Sequence, residues 1–98
     1  MDCRIIILGG RGKVVPAASI VGPDDTVTFE AQSTEAVVTF PDMQRPFRRA
    51  SIAVPPDSVS TPEAVTGLPG VYPYSVWCSG SPGRSASGDS DPIIIVRR

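Results

Sequence analysis

Gly70-Val71-Tyr72-Pro73-Tyr74-Ser75-Val76-Trp77-Cys78 is the stretch that decides the fold. Along an extended chain successive side chains point to opposite faces, so Tyr72, Tyr74, Val76 and Cys78 share one face. A polar run, Ser79 to Pro92, follows at once and is almost wholly Ser, Gly, Asp and Pro, the composition of a loop. The reading is therefore a strand that delivers a cysteine to the mouth of a long loop. The whole chain contains no histidine, which bears on every chemistry that cysteine could serve.

Outward from that stretch the signals are all of extended structure. The 98 residues include 11 Pro and 9 Gly, and no segment holds a 3.6-residue apolar period for three turns. Proline inside a helix costs about 3 kcal/mol. Thr26-Val27-Thr28-Phe29-Glu30-Ala31 alternates and places Val27 and Phe29 inward. Arg4 to Leu8, the extended run from Lys13 to Val21 broken at Pro16, Ala36 to Phe40, Ile52 to Val54, Glu63 to Val65, Val71 to Cys78 and Ile93 to Val96 complete about eight short strands. Prolines around Ile52 to Val54 and Glu63 to Val65 suit edge strands. Gly22-Pro23-Asp24-Asp25 is a tight turn, with proline presetting φ and aspartate able to cap it. The pattern predicts one all-β domain over residues 1–98, a sandwich or barrel.

Composition excludes several functions. Apolar residues make up 41% of the chain, and the formal net charge is −1. That leaves no basic footprint for nucleic acid or an anionic membrane. No apolar run approaches the roughly 18 residues of a membrane-spanning helix. The apolar run Ile5-Ile6-Ile7-Leu8 is too short for a secretion signal, so the default expectation is a cytoplasmic protein with reduced cysteines.

Three stretches resemble the cupredoxins, small copper-binding sandwiches. Asp24-Asp25-Thr26-Val27-Thr28-Phe29 resembles that family's Gly-Asp-Thr-Val-x-Phe strand. Glu35-Ala36-Val37-Val38-Thr39-Phe40 resembles its His-Asn-Val-Val-Phe segment, with Glu35 where the first copper histidine would stand. Gly70 to Cys78 resembles the Gly-x-Tyr-x-Phe-x-Cys strand, longer here by two residues. The resemblance implies a Greek-key β-sandwich of cupredoxin type with seven or eight strands. It also implies that Ser81 stands at the second histidine position and Ala86 near the methionine position. Of the implied ligand set only Cys78 is present. A blue-copper centre needs two imidazoles beside its thiolate, so the expectation is a cupredoxin-like domain without copper or any other cofactor. In the cupredoxin arrangement Cys3 and Cys78 would lie too far apart for a disulfide.

Other chemistry finds little support. A reactive thiol needs a cation, a helix N-terminus or a metal beside it, and Cys78 has Trp77, Ser79 and Gly80. Cysteine and serine hydrolases of the usual kind borrow a histidine base, absent here. Leu8-Gly9-Gly10-Arg11-Gly12-Lys13 lacks the spacing and the following helix of a phosphate loop. Asp89-Ser90-Asp91 offers too few oxygens for calcium. Arg45-Pro46-Phe47-Arg48-Arg49 is the one local charge cluster. It reads either as a partner contact, with Phe47 and Arg48 as anchors, or as a solvated linker. The expected function is a non-enzymatic binding or assembly module with an unidentified protein partner. A redox or metallochaperone role centred on Cys78 is the alternative, and an enzyme using only Ser, Asp and Glu a third reading.

Overall fold

A computed structural model describes residues 1–9, 13–41, 44–79 and 92–97. Eleven strand segments form two layers: β1 (Asp2–Leu8), β2 (Lys13–Val15), β3 (Ala18–Val21), β4 (Thr26–Gln32), β5 (Ala36–Thr39), β6 (Ser51–Val54), β7 (Ser58–Val59), β8 (Glu63–Ala64), β9 (Gly70–Pro73), β10 (Ser75–Cys78) and β11 (Ile93–Val96). The first layer runs β2-β1-β4, with β7 and β8 both on the far edge of β4. The second consists of two three-stranded sheets, β3-β11-β9 and β10-β5-β6, joined through the passage from β9 to β10. The chain crosses between layers five times, after β2, β3, β4, β6 and β8, and two of its pairings, β1 with β4 and β3 with β11, are parallel.

The expected alternation holds. Val27, Phe29, Val38, Phe40, Tyr74 and Val76 are all buried, and Tyr72 and Cys78 join them. Ile5 and Ile7 of β1 and Ile94 of β11 are wholly buried between the layers. The Gly22–Asp25 turn closes as read: Asp25 N–H donates to the Gly22 carbonyl at 3.1 Å, and Gly22 N–H to Asp25 Oδ2 at 2.8 Å.

Eleven segments replace the eight expected. Lys13 to Val21 divides at Pro16, one part pairing in each layer. Val71 to Cys78 divides at Tyr74: β9 pairs with β11 and β10 with β5. Tyr74 N–H donates to the carbonyl of Pro92 (3.0 Å), so the passage stays hydrogen-bonded through its bend. Ser58–Val59 is the added segment. It is two residues long and pairs only with β4, too brief for any periodicity to announce it.

Candidate functional site

Three regions carry the side chains singled out above. The first is the end of the sandwich where β5 begins and β10 ends. Cys78 lies opposite Ala36, and Ser79 N–H donates to the Glu35 carbonyl at 3.2 Å. The backbones of Glu35 and Cys78 thus lie near one another at one end of the sandwich. Their environments differ sharply. Glu35 is exposed, whereas Cys78 is 2% exposed. Burial pushes the Cys78 thiol up, and the neighbouring Thr34 hydroxyl offsets only part of that. Gly9 seals the other side of Thr34. A Cβ at Gly9 would collide with the Thr34 hydroxyl and stand 2.9 Å from the Gln32 carbonyl oxygen. Ser81 and Ala86 lie outside the described residues, as does most of the loop that follows Cys78.

The donor set here does not fit a blue-copper ion. It consists of one buried thiol, whose ionisation burial disfavours, and a carboxylate position in place of an imidazole. Among the described residues no three His, Cys, Asp or Glu side chains gather closely enough to hold a metal ion. Cys3 is half-buried on β1, opposite Val27, and both cysteines are free thiols.

The second region is the β5–β6 connection, residues 40–50. Here one expectation fails: Phe47 is not a surface anchor. It is 2% exposed and packs edge to face against Phe29 (centroids 6.3 Å apart) and Phe40 (5.5 Å). Tyr74 completes the group, 5.9 Å from Phe29 and 5.3 Å from Phe40. All three phenylalanines of the chain therefore meet in one cluster between the layers. The reason is steric and hydrophobic: Pro46 is also fully buried, so the chain dips inward there and carries Phe47 with it. A large aromatic side chain gains more from that burial than from a rim contact.

The arginines stay outside. Arg45 is half-buried, and Arg48 and Arg49 are exposed. Arg49 Nε lies 4.0 Å from Glu63 Oε2, while Arg45 and Arg48 make no ion pair among the described residues. These two side chains flank an open groove of about 430 Å³ whose opposite wall is Thr66, Gly67, Leu68 and Tyr72. The two walls are fastened together. The Pro46 carbonyl accepts hydrogen bonds from Thr66 N–H (2.9 Å) and Gly67 N–H (3.1 Å). A Cβ at Gly67 would stand only 2.5 Å from the Arg45 carbonyl oxygen, so glycine is required for this approach. Tyr72 donates its hydroxyl hydrogen to the Leu68 carbonyl, and Leu68 itself is 72% exposed. The result is a rigid groove with two cations on one wall and an exposed leucine on the other. Sequence reading found its basic wall but not the Thr66–Leu68 wall, which carries no charge or motif to signal it.

The third region is internal. The Tyr74 hydroxyl is buried without a hydrogen-bond partner among the described residues, and burial, with Cys3 nearby, drives its ionisation far above the usual phenol range. It is an inert core group.

No family model matches the sequence, and no curated protein does. Solved structures do match in shape. The purple cupredoxin of Nitrosopumilus maritimus is 21% identical, with 98% of this chain and 100% of that one covered and a TM-score of 0.66. Amicyanin, in a reduced Cu(I) form, is 15% identical over 98% of this chain and 82% of its own, with a TM-score of 0.60. Auracyanin from the photosynthetic bacterium Roseiflexus castenholzii is 15% identical, with 99% and 97% covered and a TM-score of 0.60. The fold is that of the cupredoxins. Within it this chain has no histidine to offer a metal.

Proposed function

We propose that this chain is a non-enzymatic, metal-free cupredoxin-like binding module that docks a protein partner on the Arg45–Arg48 groove. The observation that carries the reading is a cupredoxin fold, in a chain without histidine, whose Cys78 thiol is buried. What the scaffold presents to solvent includes this groove, held by the Pro46 carbonyl's hydrogen bonds to Thr66 and Gly67. Its two arginines suit a partner segment bearing carboxylates, and exposed Leu68 suits an apolar side chain beside them. A redox or metallochaperone role for Cys78 is the weaker reading, because that role needs an accessible thiolate.

The test has two arms. Metal analysis and copper titration of the purified chain should give no bound copper and no intense visible thiolate-to-copper absorption; such a band, abolished by Cys78→Ser, overturns the metal-free reading. Affinity capture with the wild-type chain and with Arg45→Glu/Arg48→Glu as paired baits should retain a partner only on the wild type, and less of it as salt rises. Equal capture by both baits overturns the groove as the docking surface.

A further inference from the structure

Glu63 is the one buried carboxylate among the described residues: the residue is 9% exposed and its side chain 11%. More exposed carboxylates of the chain are better held. Asp2 accepts hydrogen bonds from Thr26 and Thr28, Asp25 from Gly22 N–H, Glu30 from Gln32 and Arg4, and Asp57 from Ser33 N–H. The Glu63 side chain accepts none among the described residues. Its one cation there, Arg49 Nε, stands 4.0 Å away on a side chain that is 63% exposed. A carboxylate drawn out of water without hydrogen bonds or a close cation carries an uncompensated cost.

The backbone fixes that carboxylate in place. Glu63 lies opposite Val27 and Ala64 opposite Thr26 on the edge of β4. Val65 N–H donates to the Asp25 carbonyl at 3.4 Å, and Thr66 and Gly67 are bound to the Pro46 carbonyl. Glu63 lines a second hollow, of about 310 Å³, together with Arg48, Pro62, Ala64 and Thr66. Arg48 and Thr66 also line the larger groove, so the two hollows adjoin across them. Arg48 and Glu63 thus face one space with opposite charges, yet they form no ion pair with each other.

We propose that this second hollow is a subsite for a lysine or arginine side chain of the partner segment. The surface then selects an acidic and a basic residue close together in one extended chain. The proposal rests on the reading of the Arg45–Arg48 groove as the docking surface and adds the second half of what that surface recognises. The acidic side chain of the segment lies against Arg45 and Arg48. Its basic side chain enters the Glu63 hollow and supplies the cation and the N–H donors that Glu63 lacks. Because the carboxylate is already desolvated and held by its backbone, little is lost in ordering the site when the cation arrives. A single carboxylate is a poor seat for a metal ion, whereas an ammonium or guanidinium group pairs with one readily. Misplacement is penalised on both sides: the arginines repel a base in the larger groove, and Glu63 repels an acid in the smaller hollow. That repulsion sets the direction of the segment as well as its composition.

The experiment is an NMR titration of the isotope-labelled full chain with short Gly/Ser peptides. Each carries one Glu and one Lys, at varied separation and in either order. At least one arrangement should bind the wild type at least threefold more tightly than the same peptide with its lysine acetylated, and should shift the amide signals of Glu63 and Ala64. Glu63→Gln should erase that advantage, and Glu63→Lys should turn the preference to a peptide with a second Glu in place of the lysine. Should neither variant keep the wild-type circular dichroism, the acetylated and unacetylated peptides on the wild type decide alone. Equal binding with and without the lysine charge, in every arrangement, overturns the subsite and leaves the groove standing. An advantage that survives in folded Glu63→Gln does the same. Peptides that bind Arg45→Glu/Arg48→Glu as tightly as the wild type, or that bind neither at millimolar concentration, overturn the groove and the subsite with it.

Discussion

Ser60 completes the edge of β4 at Phe29 by taking both backbone hydrogen bonds of that residue. Its Oγ accepts the Phe29 N–H at 2.9 Å, and its own N–H donates to the Phe29 carbonyl at 2.7 Å. β7 pairs with Glu30 and Ala31, and β8 with Thr26 and Val27, so this contact fills the interval between two short strands. One buried serine thus supplies a bond that a strand would otherwise supply.

Ser60→Ala should therefore cost more than a surface serine. It leaves the buried Phe29 N–H without an acceptor, a loss of about 1–3 kcal/mol. Urea denaturation should show a lower midpoint at unchanged slope; a change within the ±0.5 kcal/mol of ordinary surface substitutions refutes the role.

Phe47→Ala and Arg48→Ala, adjacent in the chain, should behave in opposite ways. The first empties part of the aromatic cluster and should cost roughly 3–5 kcal/mol, a large share of a small domain's stability. The second should leave stability almost unchanged and act on partner binding alone. Thermal melts of the two variants side by side decide it, and equal melting temperatures contradict the core assignment of Phe47.

Thiol labelling should separate the two cysteines. Half-buried Cys3 should be alkylated in the native protein, while Cys78 should resist until the chain is unfolded in denaturant. Because burial raises the Cys78 ionisation above the usual thiol range, raising pH through that range should not open it to reagent unless the fold loosens. Mass spectrometry after brief iodoacetamide treatment reads both sites, and rapid native labelling at Cys78 refutes the sealed thiol.

Acid should weaken the fold through two half-buried carboxylates. The Gly22 N–H bond holds the Asp25 carboxyl below its ordinary value, and hydrogen bonds from Gln32 and then Arg4 do the same for Glu30. Both are depressed in the folded state. Their contribution is therefore fully present above the ordinary carboxylate range and lost as pH falls through the folded values. Asp25→Asn and Glu30→Gln should flatten the low-pH decline of the melting temperature; an unchanged decline in the double variant excludes these groups as its source.

Much of this molecule was legible because alternation survives wherever one face is buried. Thr26 to Ala31 and Tyr72 to Cys78 show it in the sequence and keep it in the fold. The backbones of Glu35 and Cys78 lie close at one end of the sandwich. What was not legible depends on partners distant in the chain. The division at Tyr74 follows from β9 and β10 finding different neighbours, and no residue there marks the change. Phe47 sits between charged residues, the local pattern of a surface segment, yet its place is decided by Phe29 and Phe40. Ile93-Ile94-Ile95-Val96 reads as a strand buried on both sides, which is distinguishable from a one-sided strand only once its neighbours are known.

The placement of β11 sets the order of synthesis against the order of assembly. β3 leaves the ribosome long before its partner in the sheet, which begins at Ile93, and β9 waits for the same strand on its other side. A nascent chain halted before Ile93 has two strands of the second layer with nothing between them and their apolar sides uncovered. Pairings so distant in sequence are slow to form, and until they do the open edges are available to any passing strand. Efficient production of this protein is therefore a matter of shielding an unfinished sheet until β11 arrives.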